Sequence, residues 1–144
     1  MILNRVAVRN WRGLNATELP EFSPAITLIT GNNEAGKTRL AEAMWFALFE
    51  SSKGSAQHKK ELATWGSSEP PEVDLTFSRG GSTYEVRKQF LSAKVQTTLA
   101  GAGRTLQGEE AERALAELRA DGSPLGKDAL RVLYGIHRSR EGAA

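Results

Sequence analysis

The chain contains no cysteine, which excludes disulfides, thiolate zinc sites and a cysteine nucleophile. Two histidines in a cysteine-free sequence give no credible metal site built from protein groups alone. No stretch approaches the roughly 20 apolar residues of a membrane span, and residues 1–6 hold no apolar run of signal-peptide length. The expectation is a soluble, cytoplasmic protein with no membrane contact. An excess of one charge is also missing. Nineteen Lys and Arg face 17 Asp and Glu, and the net charge of +2 is too slight a footprint to identify a nucleic-acid partner. Internal repeats and coiled-coil heptads are absent, and no Ser/His/Asp triad or carboxylate pair can be argued from spacing.

What is present is ordinary for a globular chain of 144 residues: 40% hydrophobic and 25% charged, enough to bury a core. Residues 2–9 alternate, with Ile2, Val6 and Val8 apolar, and predict a half-buried strand. The turn Asn10-Trp11-Arg12-Gly13 leads to an antiparallel strand over 14–19. Residues 25–30, Ala-Ile-Thr-Leu-Ile-Thr, are apolar and β-branched, as in a strand buried on both faces of a parallel sheet. From 37 to 49 the chain holds strong helix formers without Gly or Pro, and so much apolar surface that the helix should be buried. Residues 51–71 are polar and end in a Pro pair, which predicts a flexible connector. Two alternating runs around Gly80-Gly81 predict a β-hairpin over about 72–90, and Val95–Leu99 a third strand. An amphipathic helix follows over 109–120, and 128–134 has the pattern of another helical segment.

The chemistry is carried by Gly31-Asn32-Asn33-Glu34-Ala35-Gly36-Lys37-Thr38, which fits G-x-x-x-x-G-K-[ST] at every fixed position. It stands between the predicted strand and the predicted helix, the context a phosphate-binding loop requires. Gly31 and Gly36 let the backbone curl with its N–H groups inward, where a Cβ would obstruct phosphate. The helix start adds the positive end of its dipole to the same pocket. Lys37 is the candidate catalytic cation for the β- and γ-phosphates, and the Thr38 hydroxyl is the candidate Mg²⁺ ligand.

This motif and the helix after it resemble the Walker A region of SMC-like P-loop ATPases of the SbcC, RecF, RecN and YhaN type, within the AAA family. Val8-Arg9-Asn10-Trp11-Arg12-Gly13 resembles the turn after that family's first strand, and Thr83-Tyr84-Glu85-Val86-Arg87-Lys88-Gln89-Phe90 its hairpin strand. The resemblance is specific over residues 6–50 and loose after about 95. It implies an α/β fold: the N-terminal lobe of a P-loop NTPase head of the ABC/SMC type. In such a lobe a core sheet is joined by an antiparallel β subdomain and flanking helices. It further implies that ATP and Mg²⁺ are held by Arg12 and by Gly31, Asn32, Asn33, Glu34, Ala35, Gly36, Lys37, Thr38 and Arg39. Hydrolysis is then coupled to DNA repair, recombination or chromosome maintenance. The implied partners are the C-terminal half of the same head, a second head joined on ATP binding, and DNA.

The family's Walker B run and Ser-Gly-Gly signature do not occur here. The resemblance therefore implies an N-terminal fragment or one half of a split head, inactive alone, with an apolar surface for its complement. The family's Q-loop glutamine is also missing near Gly135-Ile136-His137-Arg138, where His137 or Arg138 are the substitutes on offer but a plain helix-end residue is the better reading. Read from the residues alone, a solvated turn arginine is the better reading of Arg12. Two other functions fit a P-loop: a nucleotide-gated assembly module, such as an antiphage-defence subunit, and a small-molecule kinase. Of the remaining residues, Lys59 and Lys60 beside His58 could touch DNA phosphate, but a solvated charge run is the better reading. Trp11, Trp45 and Trp65 are candidates for stacking on a base, with Trp45 the better core residue.

Overall fold

A computed structural model describes residues 2–19, 21–23, 37–53, 62 and 68–120. In chain order the elements are β1 (Ile2–Trp11), β2 (Leu14–Glu18), α1 (Lys37–Phe49), β3 (Glu72–Arg79), β4 (Ser82–Gln89), β5 (Thr97–Gly101), β6 (Arg104–Gln107) and α2 (Gly108–Ala120). The strands form one six-stranded sheet in the order β2-β1-β3-β4-β5-β6. Every neighbouring pair is antiparallel. The expected strand over 25–30 lies outside the described residues, and so does the helical segment over 128–134. The parallel core sheet is therefore not seen among the described strands.

Alternation decides which way each strand faces. Val6 and Val8 on β1, Val73, Leu75 and Phe77 on β3, Val86 on β4 and Leu99 on β5 all point to one buried side. A period of two puts Arg9, Glu72, Asp74, Glu85 and Arg87 on the other, wetter side. There the Arg87 guanidinium hydrogen-bonds both oxygens of Asp74, at 2.7 and 3.1 Å. That bond and the charge of Asp74, with the charges of Glu72 and Glu85, raise its pKa against the opposing effect of desolvation. Arg5 pairs with Glu18 across β1 and β2.

Both described helices cover the apolar side: α1 packs on β1, β3 and β4, and α2 on β5, β6 and α1. Leu40, Ala43, Trp45, Ala47, Leu48 and Phe49 of α1 are buried there with Ala111 and Leu115 of α2. Trp11 is fully buried and meets Phe46 and Phe90 edge-on, with ring centroids 5.4 and 5.6 Å away. Those contacts correct the suggestion that Trp11 stacks on a base; its indole is core. Trp45 is core as expected, stacked on Phe49 at 4.1 Å. Trp65 lies outside the described residues. Among the described residues Ile2 is the one exposed large apolar side chain. The expected apolar face for a missing complement is therefore not found among them.

The hairpin turns follow from backbone chemistry. Arg79 pairs with Ser82 across Gly80 and Gly81, whose φ angles of 61° and 82° belong to the left-handed region that matches strand twist. The β1–β2 hairpin makes the same kind of turn with less suitable residues. Trp11 pairs with Leu14 across Arg12 at φ 46° and Gly13 at φ 91°, after Asn10 at φ 52°. A left-handed backbone costs a non-glycine residue on the order of 1–2 kcal/mol, so other contacts must hold Arg12 there.

Candidate functional site

Of the motif over residues 31–38, positions 31–36 lie outside the described residues. The backbone of Lys37 and Thr38 is described, and it opens α1. The last two residues of the motif are thus helical, as a phosphate-binding loop requires. Its first turn carries no acidic residue, so nothing there opposes an anion at the positive end of the dipole.

Two arginines stand at this end. Arg39 lies in the first turn of α1, and its Nη1 is the atom that a Cβ on Gly13 would meet, at 3.4 Å. The β1–β2 hairpin tip thus rests against the start of α1. Arg12, in that tip, donates from Nη1 to both carboxylate oxygens of Glu42, at 2.8 and 2.6 Å. Glu42 is only 2% exposed and is the one acidic residue of α1, which is otherwise apolar from Leu40 onward. The hairpin tip is fixed from a third direction by the Arg12 N–H, which donates to the carbonyl of Leu62 at 2.8 Å. Leu62 is itself buried, within the segment expected as a connector.

The far end of α1 is anchored just as firmly. The last turn has no basic residue of its own. Lys88 of β4, almost wholly buried, supplies the cation by donating from Nζ to the carbonyl of Glu50 at 2.7 Å. Beside it Glu112 of α2 accepts from the Ser52 N–H at 3.0 Å and from the Thr97 hydroxyl at 2.9 Å. Ser52 and Thr97 are 2.8 Å apart through their hydroxyls. Burial pushes the Glu112 carboxyl up and is the largest single influence. The Ser52 N–H, the Lys88 charge and the hydroxyls of Thr97 and Ser51 together outweigh it, holding the group below its ordinary value of 4.5.

Sequence reasoning brought Arg12, Lys37, Thr38 and Arg39 to one site, and the backbone places them at one end of α1. Gly31, Asn32, Asn33, Glu34, Ala35, Gly36, His58, Lys59, Lys60, His137 and Arg138 lie outside the described residues. Glu42 was missed. The available signal was a lone carboxylate in a helix apolar enough to be buried.

A family profile described as an AAA domain matches residues 5–131. The chain is 32% identical over 99 residues to the DNA double-strand break repair Rad50 ATPase of Methanococcus maripaludis, covering 69% of this chain and 10% of that protein. It is 26% identical over 139 residues to the protein of the same name from Thermoplasma volcanium, covering 96% and 13%. Over 49 residues it is 41% identical to the DNA replication and repair protein RecF of Phocaeicola vulgatus, covering 34% and 13%. The chain thus spans about a tenth of the length of these relatives.

Proposed function

The chain belongs to the AAA domain family, as a head segment of the SMC-like P-loop ATPase type, and from that premise we propose that it binds Mg-ATP at the start of α1. The complete protein then hydrolyses the nucleotide and couples turnover to DNA repair or chromosome maintenance. That role rests on what the relatives' names say of those proteins. The further partners are the remainder of the head, a second head and DNA.

One observation carries the nucleotide assignment. α1 begins on Lys37 and Thr38, with the Arg12-Gly13 hairpin tip lying against its first turn. Two guanidiniums and a helix start free of carboxylates suit a polyanion. When bound, Mg-ATP would supply the transferable phosphoryl group, with a divalent cation to offset the negative charge on its oxygens. Lys37 adds a mobile point charge against the β- and γ-phosphates, and the Thr38 hydroxyl ligates the metal. By the motif, the backbone of residues 33–39 would donate N–H groups to the phosphates, with glycine at 31 and 36 because a Cβ would obstruct them. Arg12 adds N–H donors from the hairpin side.

Titration of the full-length protein with Mg-ATP tests the assignment. Wild type binds, and Lys37→Ala loses affinity while its circular dichroism is unchanged. Equal affinity in the two proteins removes the P-loop reading.

A further inference from the structure

Glu42 has no place in the P-loop motif, yet it makes the most direct link between the hairpin tip and α1. Its carboxylate engages a single nitrogen of Arg12, with both oxygens within 2.8 Å of Nη1. A guanidinium has five N–H donors on three nitrogens. With Nη1 taken up by the carboxylate, the N–H groups on Nε and Nη2 have no hydrogen-bond partner among the described residues. The Arg12 side chain keeps 20% of its surface accessible while the Glu42 side chain keeps 3%. The pair is therefore asymmetric: a buried anchor holds an arginine whose remaining donors are unpaired among the described residues.

The backbone around Arg12 points the same way. Its φ of 46° is a conformation that arginine avoids. Such strain persists where surrounding contacts over-determine it, and it concentrates at functional sites. The Glu42 carboxylate and the Leu62 carbonyl are two such contacts, one on the side chain and one on the backbone.

We infer that Glu42 is a positioning residue for phosphate recognition: it fixes the Arg12 guanidinium at the start of α1, so that the Nε and Nη2 donors meet a phosphate without first being ordered. The inference rests on the nucleotide assignment above. It adds that the arginine's contribution depends on a carboxylate that never touches the ligand. A free arginine gives up its rotamer entropy on binding, and removing the anchor should cost about tenfold in affinity.

The test is a double-substitution cycle in the full-length protein, read by Mg-ATP affinity and by melting temperature. Glu42→Gln keeps the side-chain shape but loses the charge and one acceptor, and its affinity should fall about tenfold. Arg12→Gln should fall at least as far. In the Arg12→Gln background, Glu42→Gln should cost no further affinity, because it has no guanidinium left to place. Glu42→Asp keeps the charge one methylene short and should bind with intermediate affinity, which keeps the test open if Glu42→Gln does not fold. Wild-type or tighter binding by the Glu42 variants overturns the inference. So does a double variant whose losses multiply, since that is what a merely structural role predicts. Lys37→Ala separates the two levels. If it binds like wild type, the nucleotide assignment itself fails; if it alone loses binding, only the role of Glu42 does.

Discussion

Lys88, nearly inaccessible on β4, donates its ammonium to the carbonyl of Glu50 at 2.7 Å and so closes the C-terminal end of α1 from outside the helix. A helix leaves its last carbonyls without partners of its own, and this one has no basic residue in its last turn to satisfy them. Lys88→Met keeps the apolar stem but removes the donor. It should destabilise the protein by about 1–3 kcal/mol, the cost of an unsatisfied buried acceptor. Urea denaturation measures it, and a midpoint equal to wild type would show that the carbonyl finds another partner.

Glu112, next to that contact, makes stability depend on pH. Its folded pKa is depressed, so the folded state favours the ionised form. That contribution is present above the carboxyl's unfolded pKa and is lost as pH falls through the lower folded value. The window therefore lies below the ordinary value of 4.5. Acid melts of wild type and Glu112→Gln should converge as the pH is lowered through it. A gap between them that stays constant with pH would show that the ionised carboxylate adds nothing to stability.

The parts of the fold legible in the sequence are those where one periodicity acts alone. Residues 37–49 show helical spacing without a breaker, and α1 has those bounds. Alternation on either side of Gly80-Gly81 gave β3 and β4, because the same residues that face the core also set the pattern. β6 was invisible for the opposite reason. It is a four-residue edge strand in which Arg104, Thr105 and Gln107 are exposed and only Leu106 is half-buried. Backbone pairing with β5 makes it a strand, and pairing leaves no mark on hydrophobicity. At the site, the motif named the candidate residues, but the Arg12–Glu42 contact joins positions 30 apart, beyond the reach of any local pattern. Trp11 was misread because a turn-proximal aromatic does not disclose which way its ring faces.

Trp11 also offers a comparison of two substitutions. Its indole is buried between Phe46 and Phe90, while the indole N–H finds no hydrogen-bond partner among the described residues. Trp11→Ala should cost about 3–5 kcal/mol through the cavity left behind. Trp11→Phe keeps most of the ring and removes an unpaired donor, so its cost should be well below that of Trp11→Ala. Chemical denaturation of both variants decides it, and equal losses would show that the N–H has a partner.

Gly101 is required by a close approach. A Cβ there would lie 2.5 Å from Cδ1 of Tyr84 and 2.7 Å from the carbonyl of Thr83, at a φ of 153°. The carbonyl belongs to the paired strand and cannot move without opening the β4–β5 ladder. Gly101→Ala should lower the melting temperature by several degrees, on the order of 1–3 kcal/mol of strain. Gly103→Ala, where nothing lies within 4 Å of the added atom, carries only the cost of its φ of 76°. Similar losses at the two positions would mean that the strand contact yields easily.

Lys37 and Thr38, the two side chains that end the motif, have separate proposed roles. Lys37 is proposed to meet phosphate directly, and Thr38 to hold the metal that accompanies it. The two roles respond differently when magnesium is withdrawn. With Mg²⁺ present, Lys37→Ala and Thr38→Ala should each weaken ATP binding by about tenfold or more, the worth of one charge-assisted contact. With the metal chelated, wild-type affinity should fall, Lys37→Ala should fall below it, and Thr38→Ala should match it, because the hydroxyl then has no cation to ligate. Titrations of the three full-length proteins with and without chelator provide the measurement. A Thr38→Ala deficit that persists undiminished without metal would assign the hydroxyl to phosphate or to the helix start, and a Lys37→Ala deficit that disappears would make the lysine part of the metal's environment.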